Sequence, residues 1–327
     1  MVSGGFTSAT ACSPMIAELY GSEMSRILVT GGTGVVGTKL VANLRAKGHD
    51  VWFSDRGHHF DPKYVRADIS EFRQVQNLME KSRPELVFNA GAEFGRWNGE
   101  AYYESLWRSN VIGLKHVLMV QKEQGFKLVH FSSSEVYGDY GGVMSEDVMD
   151  NVEIKQMNDY AMTKWVNEQQ IQNAEQMLGS QTVRIRIFNT YGPGEYFSEW
   201  RSVACRFIYA ALHDQRYTVH DGHTRTHTFV DDAVEWISRV QDNFKPGQVY
   251  NIAGSHRTDI KELSDTILKV LERSDDLVDY APPEPMTTKD KIVDNSRMLR
   301  DFGSHPEVPF EEGIRRTIDW QRRVYGV

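Results

Sequence analysis

The feature that most constrains the fold is a short apolar run, 26–30, that leads into a glycine-rich turn at 31–37 (GGTGVVG) and then into an amphipathic stretch. Glycines in such a turn allow a tight reversal, let backbone N–H groups approach a pyrophosphate and bring the helix close to the strand. With 26 glycines among 327 residues, three glycines at these offsets arise by chance on the order of 0.1 to 0.2 times per chain. The glycines alone are therefore weak evidence. Their position between a predicted strand and a predicted helix is what predicts a dinucleotide-binding turn.

Short apolar runs alternate with longer amphipathic stretches along the chain, which is the pattern of βαβ units and a parallel sheet. Strands are predicted at 26–30, 51–54, 86–89, 127–132, 183–188 and 249–252. Helices are predicted at 35–47, 71–81, 102–124 and 158–178. The alternation predicts an α/β fold with a Rossmann-type doubly wound parallel sheet.

The pattern changes after Gly192, where turn residues and prolines become denser and short strands such as 217–220 break the alternation. We expect a smaller mixed α/β C-terminal lobe there. Residues 24–190 are predicted to form a dinucleotide-binding Rossmann domain and residues 191–327 mainly a substrate-binding lobe. Segments near 226–253 are expected to return to the first domain.

The charge and the cysteine content argue against several classes of function. Lysines and arginines total 37 against 45 aspartates and glutamates, a net charge of −8, which disfavours a nucleic-acid partner. The two cysteines, Cys12 and Cys205, show no metal-ligand spacing, so we expect no metal and a reducing, cytoplasmic setting. No apolar run reaches the length of a membrane span. Residues 1–23 lack the features of a signal peptide and are interpreted as a flexible tail.

The end of the second predicted strand indicates which dinucleotide is bound. Asp55 lies there, and a carboxylate at this place accepts hydrogen bonds from the ribose of adenosine. Its charge would repel a 2′-phosphate, which favours NAD over NADP. Arg56 keeps NADP open as the less favoured alternative, because a guanidinium there neutralises a phosphate. Asp68 and the end of the third strand, 89–92, are placed to line the adenine and the diphosphate.

A serine-rich segment, 132–134, ends the fourth predicted strand, and Tyr160 and Lys164 follow at the start of a predicted helix. Residues four apart share one helix face, so the phenol and the ammonium point into the same space. Lowering a tyrosine pKa from near 10 by about three units takes roughly 4 kcal/mol of phenolate stabilisation, which the ammonium and a positive nicotinamide ring can provide. Tyr160 is then a general base for a hydroxyl proton as hydride leaves the carbon, and Ser133 hydrogen-bonds the same oxygen.

Together these motifs resemble the extended short-chain dehydrogenase/reductase superfamily, specifically its NAD-dependent epimerase/dehydratase branch, which acts on nucleotide sugars. The resemblance covers nearly the whole chain from Arg26. Beyond the motifs above, it includes Asn89-Ala90-Gly91-Ala92, Asn110-Val111-Ile112-Gly113, 186–194 (RIFNTYGPG), 225–232 (RTHTFVDD), Glu312-Gly313-Ile314 and Trp320.

The resemblance implies an enzyme that binds NAD and a nucleotide-diphosphate sugar and that forms a homodimer through the helices at 102–124 and 158–178. The predicted catalytic residues are Ser133, Ser134, Glu135, Tyr160 and Lys164. The predicted cofactor-binding residues are Gly31, Thr33, Gly34, Val35, Val36, Gly37, Asp55, Arg56, Asp68, Ile69, Asn89, Ala90, Gly91, Asn110, Ser132, Tyr160 and Lys164. The predicted substrate-binding residues are Glu93, Ser133, Asn189, Arg201 and Arg225. Asn110 is also expected to support the catalytic residues, and an arginine fork suits a phosphate.

Members of this branch begin by oxidising a sugar hydroxyl, usually at C4, and then diverge. A carboxyl group beside the catalytic serine can act as acid or base on the neighbouring carbons. The pair Ser134-Glu135 resembles the Ser-Glu or Asp-Glu pair of 4,6-dehydratases and the Ser-Glu of UDP-glucuronate decarboxylases, whereas simple 4-epimerases usually lack this glutamate. A 4,6-dehydratase-type reaction is therefore the first expectation, although Ser134 replaces the aspartate of the Asp-Glu version.

Three alternatives remain. Epimerisation ranks second and decarboxylation third, because the family's decarboxylases commonly have arginine after Gly-Pro where this chain has Gly194-Glu195; Arg201 and Arg206 lie nearby and can substitute. The segment 93–97 is expected to face the sugar. In a different class, a non-catalytic NAD-binding regulatory protein can share the fold. The intact Ser133, Tyr160 and Lys164 argue against it, because a binding protein needs no phenolate.

Overall fold

The computed structural model describes residues 24–327. The predicted flexible tail, 1–23, lies outside this part of the chain. None of the helices described combines the length and the apolarity that crossing a membrane requires.

A parallel sheet of seven strands forms the centre of the described chain. Its strands are β1 Arg26–Thr30, β2 Asp50–Asp55, β3 Tyr64–Arg66, β4 Leu86–Asn89, β5 Lys127–Ser133, β7 Thr182–Ile187 and β11 Val249–Ile252. Their order across the sheet is β11-β7-β5-β4-β1-β2-β3. The shorter strands are β6 Val143–Met144, β8 Thr190–Tyr191, β9 Tyr217–His220, β10 Thr224–Phe229, β12 His256–Asp259, β13 Val278–Ala281 and β14 Ile292–Val293. This architecture confirms the predicted Rossmann-type doubly wound parallel sheet.

Helices cover both faces of the large sheet. Their bounds are α1 Val35–Ala46, α2 Phe72–Ser82, α3 Arg96–Ala101, α4 Tyr103–Trp107, α5 Gly113–Gln124, α6 Val148–Asn151, α7 Asp159–Leu178, α8 Val203–Leu212, α9 Val230–Arg239, α10 Ile260–Leu271, α11 Ser296–Phe302 and α12 Phe310–Tyr325. The buried side chains of α1, α9 and α11 form one apolar cluster with the sheet, and those of α2, α5 and α7 form another. Burial on both faces explains why the strands are almost continuously apolar.

The C-terminal part of the chain has its own apolar cluster, built from α8, α10, α12 and strands β9, β10 and β13. Three small sheets accompany it, in the orders β12-β10-β8, β13-β9 and β14-β6. The chain also returns to the large sheet: β11 pairs with β7, and Trp236 of α9 is fully buried in the cluster that includes α1.

The single helix predicted at 102–124 is wrong in detail, because it is divided into α4, a π-helical turn Arg108–Ile112 and α5. A π turn inserts an extra residue into the helical ladder and is frequent at functional sites. Here it directs the side chain of Asn110 inward, where its amide group bonds both the N–H (2.9 Å) and the C=O (3.1 Å) of Glu93. The register shift thus fixes the loop that follows β4.

A buried ion pair joins helix α7 to the sheet. The Arg186 guanidinium donates two hydrogen bonds to the Glu168 carboxylate, at 3.0 and 2.8 Å, and both side chains are at most 3% exposed. Ser132 of β5 donates to the same carboxylate at 2.6 Å, and Arg186 also donates to the Tyr137 hydroxyl at 2.9 Å. The network therefore ties α7 to β5, to β7 and to the turn after β5.

Removing one charge of this network should destabilise the protein strongly. Glu168→Gln leaves Arg186 buried without its counter-charge, and we expect a loss of about 3–5 kcal/mol in the free energy of unfolding, measured by denaturant titration. The matched control is Glu312→Gln, whose partner Arg316 lies 2.8 Å away on the exposed side of α12; its loss should stay under about 1 kcal/mol. Equal losses for the two variants would contradict the assigned role of the buried pair.

Candidate active site

Two connected cavities lie at the carboxyl ends of the parallel strands, where α/β sheets bind ligands. The first, of about 460 Å³, is called here the glycine-turn cavity because Gly31, Gly34 and Gly37 line it. The second, of about 370 Å³, is called the arginine cavity. Its arginines are Arg96, Arg201, Arg206 and Arg225. Ser133 and Tyr160 line both, so the two cavities meet at the predicted catalytic residues.

The glycine turn brings backbone close to backbone. Gly31 has φ +66°, and a Cβ there would lie 2.8 Å from the Gly91 nitrogen. A Cβ on Gly37 would lie 2.1 Å from the Gly31 oxygen. No side chain of the described residues caps the N-terminus of α1 at Gly34, so the amides of its first turn are available for an anion. The turn therefore fits the diphosphate of a dinucleotide.

Asp55 lies at the end of β2 in the same cavity. Its carboxylate accepts hydrogen bonds from the Thr33 amide (3.2 Å), the Thr33 hydroxyl (2.6 Å) and the Arg56 amide (2.8 Å). The Arg56 guanidinium contacts Glu93 instead, at 3.1 Å. Because that positive charge is paired elsewhere, the negative charge at the ribose position fits NAD better than a 2′-phosphate.

Most of the predicted cofactor-binding residues line the glycine-turn cavity. Those that do are Gly31, Gly34, Val35, Val36, Gly37, Asp55, Arg56, Asp68, Ile69, Ala90, Gly91, Ser132, Tyr160 and Lys164. The three other predicted cofactor-binding residues, Thr33, Asn89 and Asn110, do not line the cavity. Their side chains form hydrogen bonds with other residues instead. Thr33 bonds Asp55, Asn89 accepts from the Thr30 hydroxyl at 2.7 Å, and Asn110 bonds the Glu93 backbone and Thr163. Their contribution is to position the lining residues.

Helix α7 presents Tyr160 and Lys164 to the junction of the cavities. Asn158 caps the helix by accepting from the Ala161 amide at 2.8 Å, which places Tyr160 in the first turn. Lys164 is 3% exposed. Its ammonium donates to the Phe131 carbonyl at 2.8 Å and lies 5.8 Å from the centre of the Tyr160 ring. The two side chains share a helix face, as their spacing predicted.

Their electrostatics differ from the expectation that Lys164 lowers the tyrosine pKa. Loss of hydration raises the pKa of Tyr160 to about 12, partly offset by a hydrogen bond with Ser133 and reinforced by the charge of Glu135. Burial lowers the pKa of Lys164 to about 8. In the protein by itself Tyr160 is thus a protonated phenol at neutral pH.

Glu135 has a partner that sequence reasoning missed. Lys291, 1% exposed, contacts the Glu135 carboxylate and donates to the Ser134 hydroxyl at 3.1 Å. Loss of hydration by itself would raise the pKa of Glu135, but the charges of Lys291, Arg225 and Arg96 hold that pKa at about 2. Glu135 is therefore a carboxylate at any neutral pH. Lys291 belongs to no recognised sequence motif, and it directly precedes the two-residue strand β14.

The arginine cavity mixes both signs of charge. Arg225 donates to the carbonyls of Thr224 (2.7 Å) and Lys289 (3.0 Å), which fixes its guanidinium. The predicted residues Arg201 and Asn189 line this cavity and the glycine-turn cavity, whereas Glu93 lines only the latter. Sequence reasoning assigned no role to the acidic residues that accompany the arginines. They are Glu195, Glu199 and Glu284.

Several arginine nitrogens in this cavity are free to bind. The buried Nε atoms of Arg96, Arg201 and Arg206 have no hydrogen-bond partner among the described residues, nor does the buried side-chain oxygen of Asn189. Unpaired buried donors are costly and point to a ligand that completes them. Guanidinium donors converging on a cavity suit phosphate or other polyanionic groups. The described residues contain no cluster of His, Cys, Asp and Glu placed to hold a metal ion.

Comparison with known proteins places this arrangement in context. The sequence model of the NAD dependent epimerase/dehydratase family matches residues 27–253. The UDP-N-acetyl-alpha-D-glucosaminuronate decarboxylase of Bacillus cytotoxicus is 27% identical over 91% of this chain and 98% of that enzyme. The dTDP-D-glucose 4,6-dehydratase of Homo sapiens is 23% identical over 97% of this chain and 95% of that enzyme.

A solved structure shows the same fold. The epimerase Mth375 of Methanothermobacter thermautotrophicus superposes with a TM-score of 0.84 at 25% identity, covering 93% of this chain and 94% of that one. The similarity thus extends over the C-terminal part as well as over the large sheet.

A methyl group on Gly37 should weaken cofactor binding. The Gly37→Ala side chain would collide with the Gly31 carbonyl, so α1 must move away from the turn. We expect the affinity for NAD to fall by about tenfold or more, which corresponds to roughly 1.4 kcal/mol, in a calorimetric titration. The matched control is Gly57→Ala, because a Cβ on Gly57 meets no described atom within 4 Å. Equal NAD affinity of the two variants would contradict the role of the turn.

Proposed function

The chain belongs to the NAD dependent epimerase/dehydratase family, and we propose that it is a nucleotide-sugar 4,6-dehydratase. It would bind NAD in the glycine-turn cavity and a nucleotide-diphosphate sugar in the arginine cavity. The observation that carries the proposal is Glu135, a carboxylate held ionised by Lys291 directly beyond the catalytic Ser133.

The glycine-turn cavity fits NAD part by part. The amides at the start of α1 would hold the diphosphate, Asp55 the adenosine ribose, and Asp68 with Ile69 the adenine side. Bound NAD supplies a hydride acceptor and, with its positive ring, an electrostatic stabiliser of a nearby phenolate. The family's NAD dependence agrees with the charge of Asp55 and with the pairing of Arg56 to Glu93.

The first step is oxidation of a sugar hydroxyl at C4. Tyr160 removes the hydroxyl proton as the carbon gives up hydride, and Ser133 donates a hydrogen bond to the same oxygen. Loss of hydration raises the pKa of Tyr160 to about 12, so the tyrosine becomes an effective base only where positive charge is brought beside it. Lys164 and the cofactor ring are the two sources of that charge.

Dehydration differs from the other reactions of the family in what it asks of the neighbouring carbon. A C4 ketone makes the C5 hydrogen acidic, and removing it expels the C6 hydroxyl as water; a hydride returned to C6 and a proton returned to C5 would complete the reaction. This requires a base at C5 and a proton donor at C6. Glu135 is an available base, because its pKa near 2 keeps it ionised. Simple C4 epimerisation needs no base at C5.

Decarboxylation fits the charges less well. The arginine that commonly follows Gly-Pro in such enzymes is replaced here by Gly194. The carboxylate of the next residue, Glu195, accepts hydrogen bonds from the backbone and hydroxyl of Ser202 at 3.0 and 2.6 Å. Glu195 therefore fixes the start of α8 and supplies no cation.

We also propose a homodimer formed through α5 and α7. These helices and the π turn before α5 expose apolar side chains that a monomer would leave in water. They are Ile112 at 48%, Met119 at 43%, Met162 at 40% and Trp165 at 40% exposure. Tyr102 and Tyr103 extend the same region at 59% and 52% exposure. Pairing these faces with a second copy would bury them in a four-helix arrangement.

The dehydratase proposal predicts the mass of the product. Incubation with a panel of UDP-, dTDP-, GDP- and CDP-hexoses should yield, for at least one of them, a product lighter by one water. Loss of carbon dioxide would instead indicate decarboxylation, and an unchanged mass with altered stereochemistry would indicate epimerisation.

Two variants separate the steps of that reaction. Tyr160→Phe should slow reduction of the bound cofactor by about 10²–10⁴-fold, because the general base is lost. Glu135→Gln should leave reduced cofactor accumulating while water loss slows by a similar factor. Absorbance of the reduced nicotinamide and product mass report the two steps. If Glu135→Gln forms product at the parent rate, the base role of Glu135 is wrong.

The dimer proposal predicts that charge on the exposed helix faces separates the subunits. Trp165→Glu and Met119→Glu should shift the mass measured by light scattering from two chains to one. Val324→Glu places the same charge on a 37% exposed apolar residue of α12 and should leave the dimer intact. A monomeric parent protein at micromolar concentration would refute the proposal.

A further inference from the structure

Lys291 is held rigidly at the catalytic residues by the C-terminal part of the chain. Its amide donates to the Thr224 carbonyl and its own carbonyl accepts from the Thr226 hydroxyl, both at 3.2 Å. The strand that follows it, β14, pairs with β6. The Thr288 hydroxyl donates to the Gly138 carbonyl at 2.5 Å. The backbone on both sides is therefore held by hydrogen bonds, and the side chain itself is 1% exposed.

A lysine buried in this way calls for an explanation. Burial of an ammonium costs several kcal/mol even when a carboxylate compensates it, and a well-packed apolar residue of the same size often serves stability equally well. Burial also lowers the pKa of Lys291, which the charge of Glu135 opposes. The lysine is thus a poor structural element but a competent proton donor, and it contacts two residues of the active site.

The contact with Ser134 determines what that hydroxyl can do. A serine hydroxyl carries one hydrogen and accepts through its oxygen lone pairs. Because the ammonium of Lys291 already donates to the Ser134 oxygen at 3.1 Å, the hydroxyl hydrogen is free to point elsewhere. Ser134 and Glu135 both line the arginine cavity. The Ser134 hydroxyl can therefore donate a hydrogen bond into the cavity while its oxygen accepts one from Lys291.

We propose that Lys291 and Ser134 form the proton-donating arm of the elimination, with Lys291 passing a proton through Ser134 to the departing hydroxyl group. This inference rests on the dehydratase function proposed above. Lys291 is a positioning and relay residue that acts through Ser134, and Ser134 takes the place of an acidic proton donor.

The proton balance closes within the three residues. Glu135 takes the C5 proton, the C6–O bond breaks, and Ser134 gives its hydrogen to the leaving oxygen, which departs as water. Lys291 restores the hydrogen of Ser134 and becomes a neutral amine. Glu135, in contact with Lys291, then returns the C5 proton to it. The elimination leaves Glu135, Ser134 and Lys291 as they began, and the unsaturated ketone has lost one water. The product would be completed by a hydride returned to C6 and a proton added at C5, and the proton that Tyr160 took from the C4 hydroxyl balances the one added at C5.

The test separates the charge of Lys291 from its proton. Lys291→Arg keeps a cation beside Glu135, but a guanidinium does not give up a proton in proteins. We expect this variant to reduce bound cofactor with the hexose panel described above and to slow water loss by at least 100-fold. Lys291→Met should show the same loss. Lys269→Met removes the ammonium of a lysine on α10 that is 71% exposed and should leave both steps unchanged.

A second variant, Ser134→Ala, tests the proposed relay at the serine. Its result does not depend on whether the Lys291 variants fold. Ser134→Ala keeps the Lys291–Glu135 pair, so in deuterated water the recovered substrate should still exchange its C5 hydrogen. Water loss should again fall at least 100-fold, because the base works without the donor.

The outcomes distinguish the two proposals. A parent enzyme that removes water, with Lys291→Arg and Ser134→Ala doing so within fivefold of its rate, overturns the relay and leaves the dehydratase function standing. A parent enzyme that only isomerises or decarboxylates every sugar of the panel overturns both.

Discussion

The buried pair between Arg186 and Glu168 is the interaction on which the rest of the site depends. It joins the helix that carries Tyr160 and Lys164 to the strands that carry the serine-rich segment. Two parallel hydrogen bonds between a guanidinium and a carboxylate fix orientation as well as distance. Proton transfer tolerates little displacement, so a rigid attachment of α7 to the sheet is a condition for chemistry between residues on separate elements.

A second constraint is that the reacting region is assembled from distant parts of the chain. The turn after β5 supplies Ser134 and Glu135, whereas Lys291 and Arg225 come from the C-terminal part. These cations hold Glu135 as an anion despite its loss of hydration. The charge state of the proposed base is therefore a property of the folded chain as a whole.

The parts of the site that could be predicted are those with local causes. The glycine turn, Asp55 at a strand end and the i, i+4 spacing of Tyr160 and Lys164 are each set by neighbours in sequence, and the structure brings them to one cleft. Lys291 escaped prediction, because contacts between residues far apart in sequence leave no spacing to detect. Arg96 was expected only as part of the segment 93–97 that faces the sugar. The π turn at Arg108–Ile112 was also missed, and with it the hydrogen bonds between Asn110 and the backbone of Glu93, a residue 17 positions away in sequence.

The pairing of Arg56 with Glu93 bears on how a dinucleotide enters the cleft. Arg56 follows β2 and Glu93 follows β4, and β1 lies between these strands. The ion pair therefore lies across the glycine turn that follows β1. The Arg56 side chain is 60% exposed, and an exposed pair of this kind contributes at most about 1 kcal/mol. At that strength the Arg56–Glu93 ion pair is broken in roughly one molecule in six at any moment. Breaking this ion pair therefore adds little to the barrier for cofactor exchange.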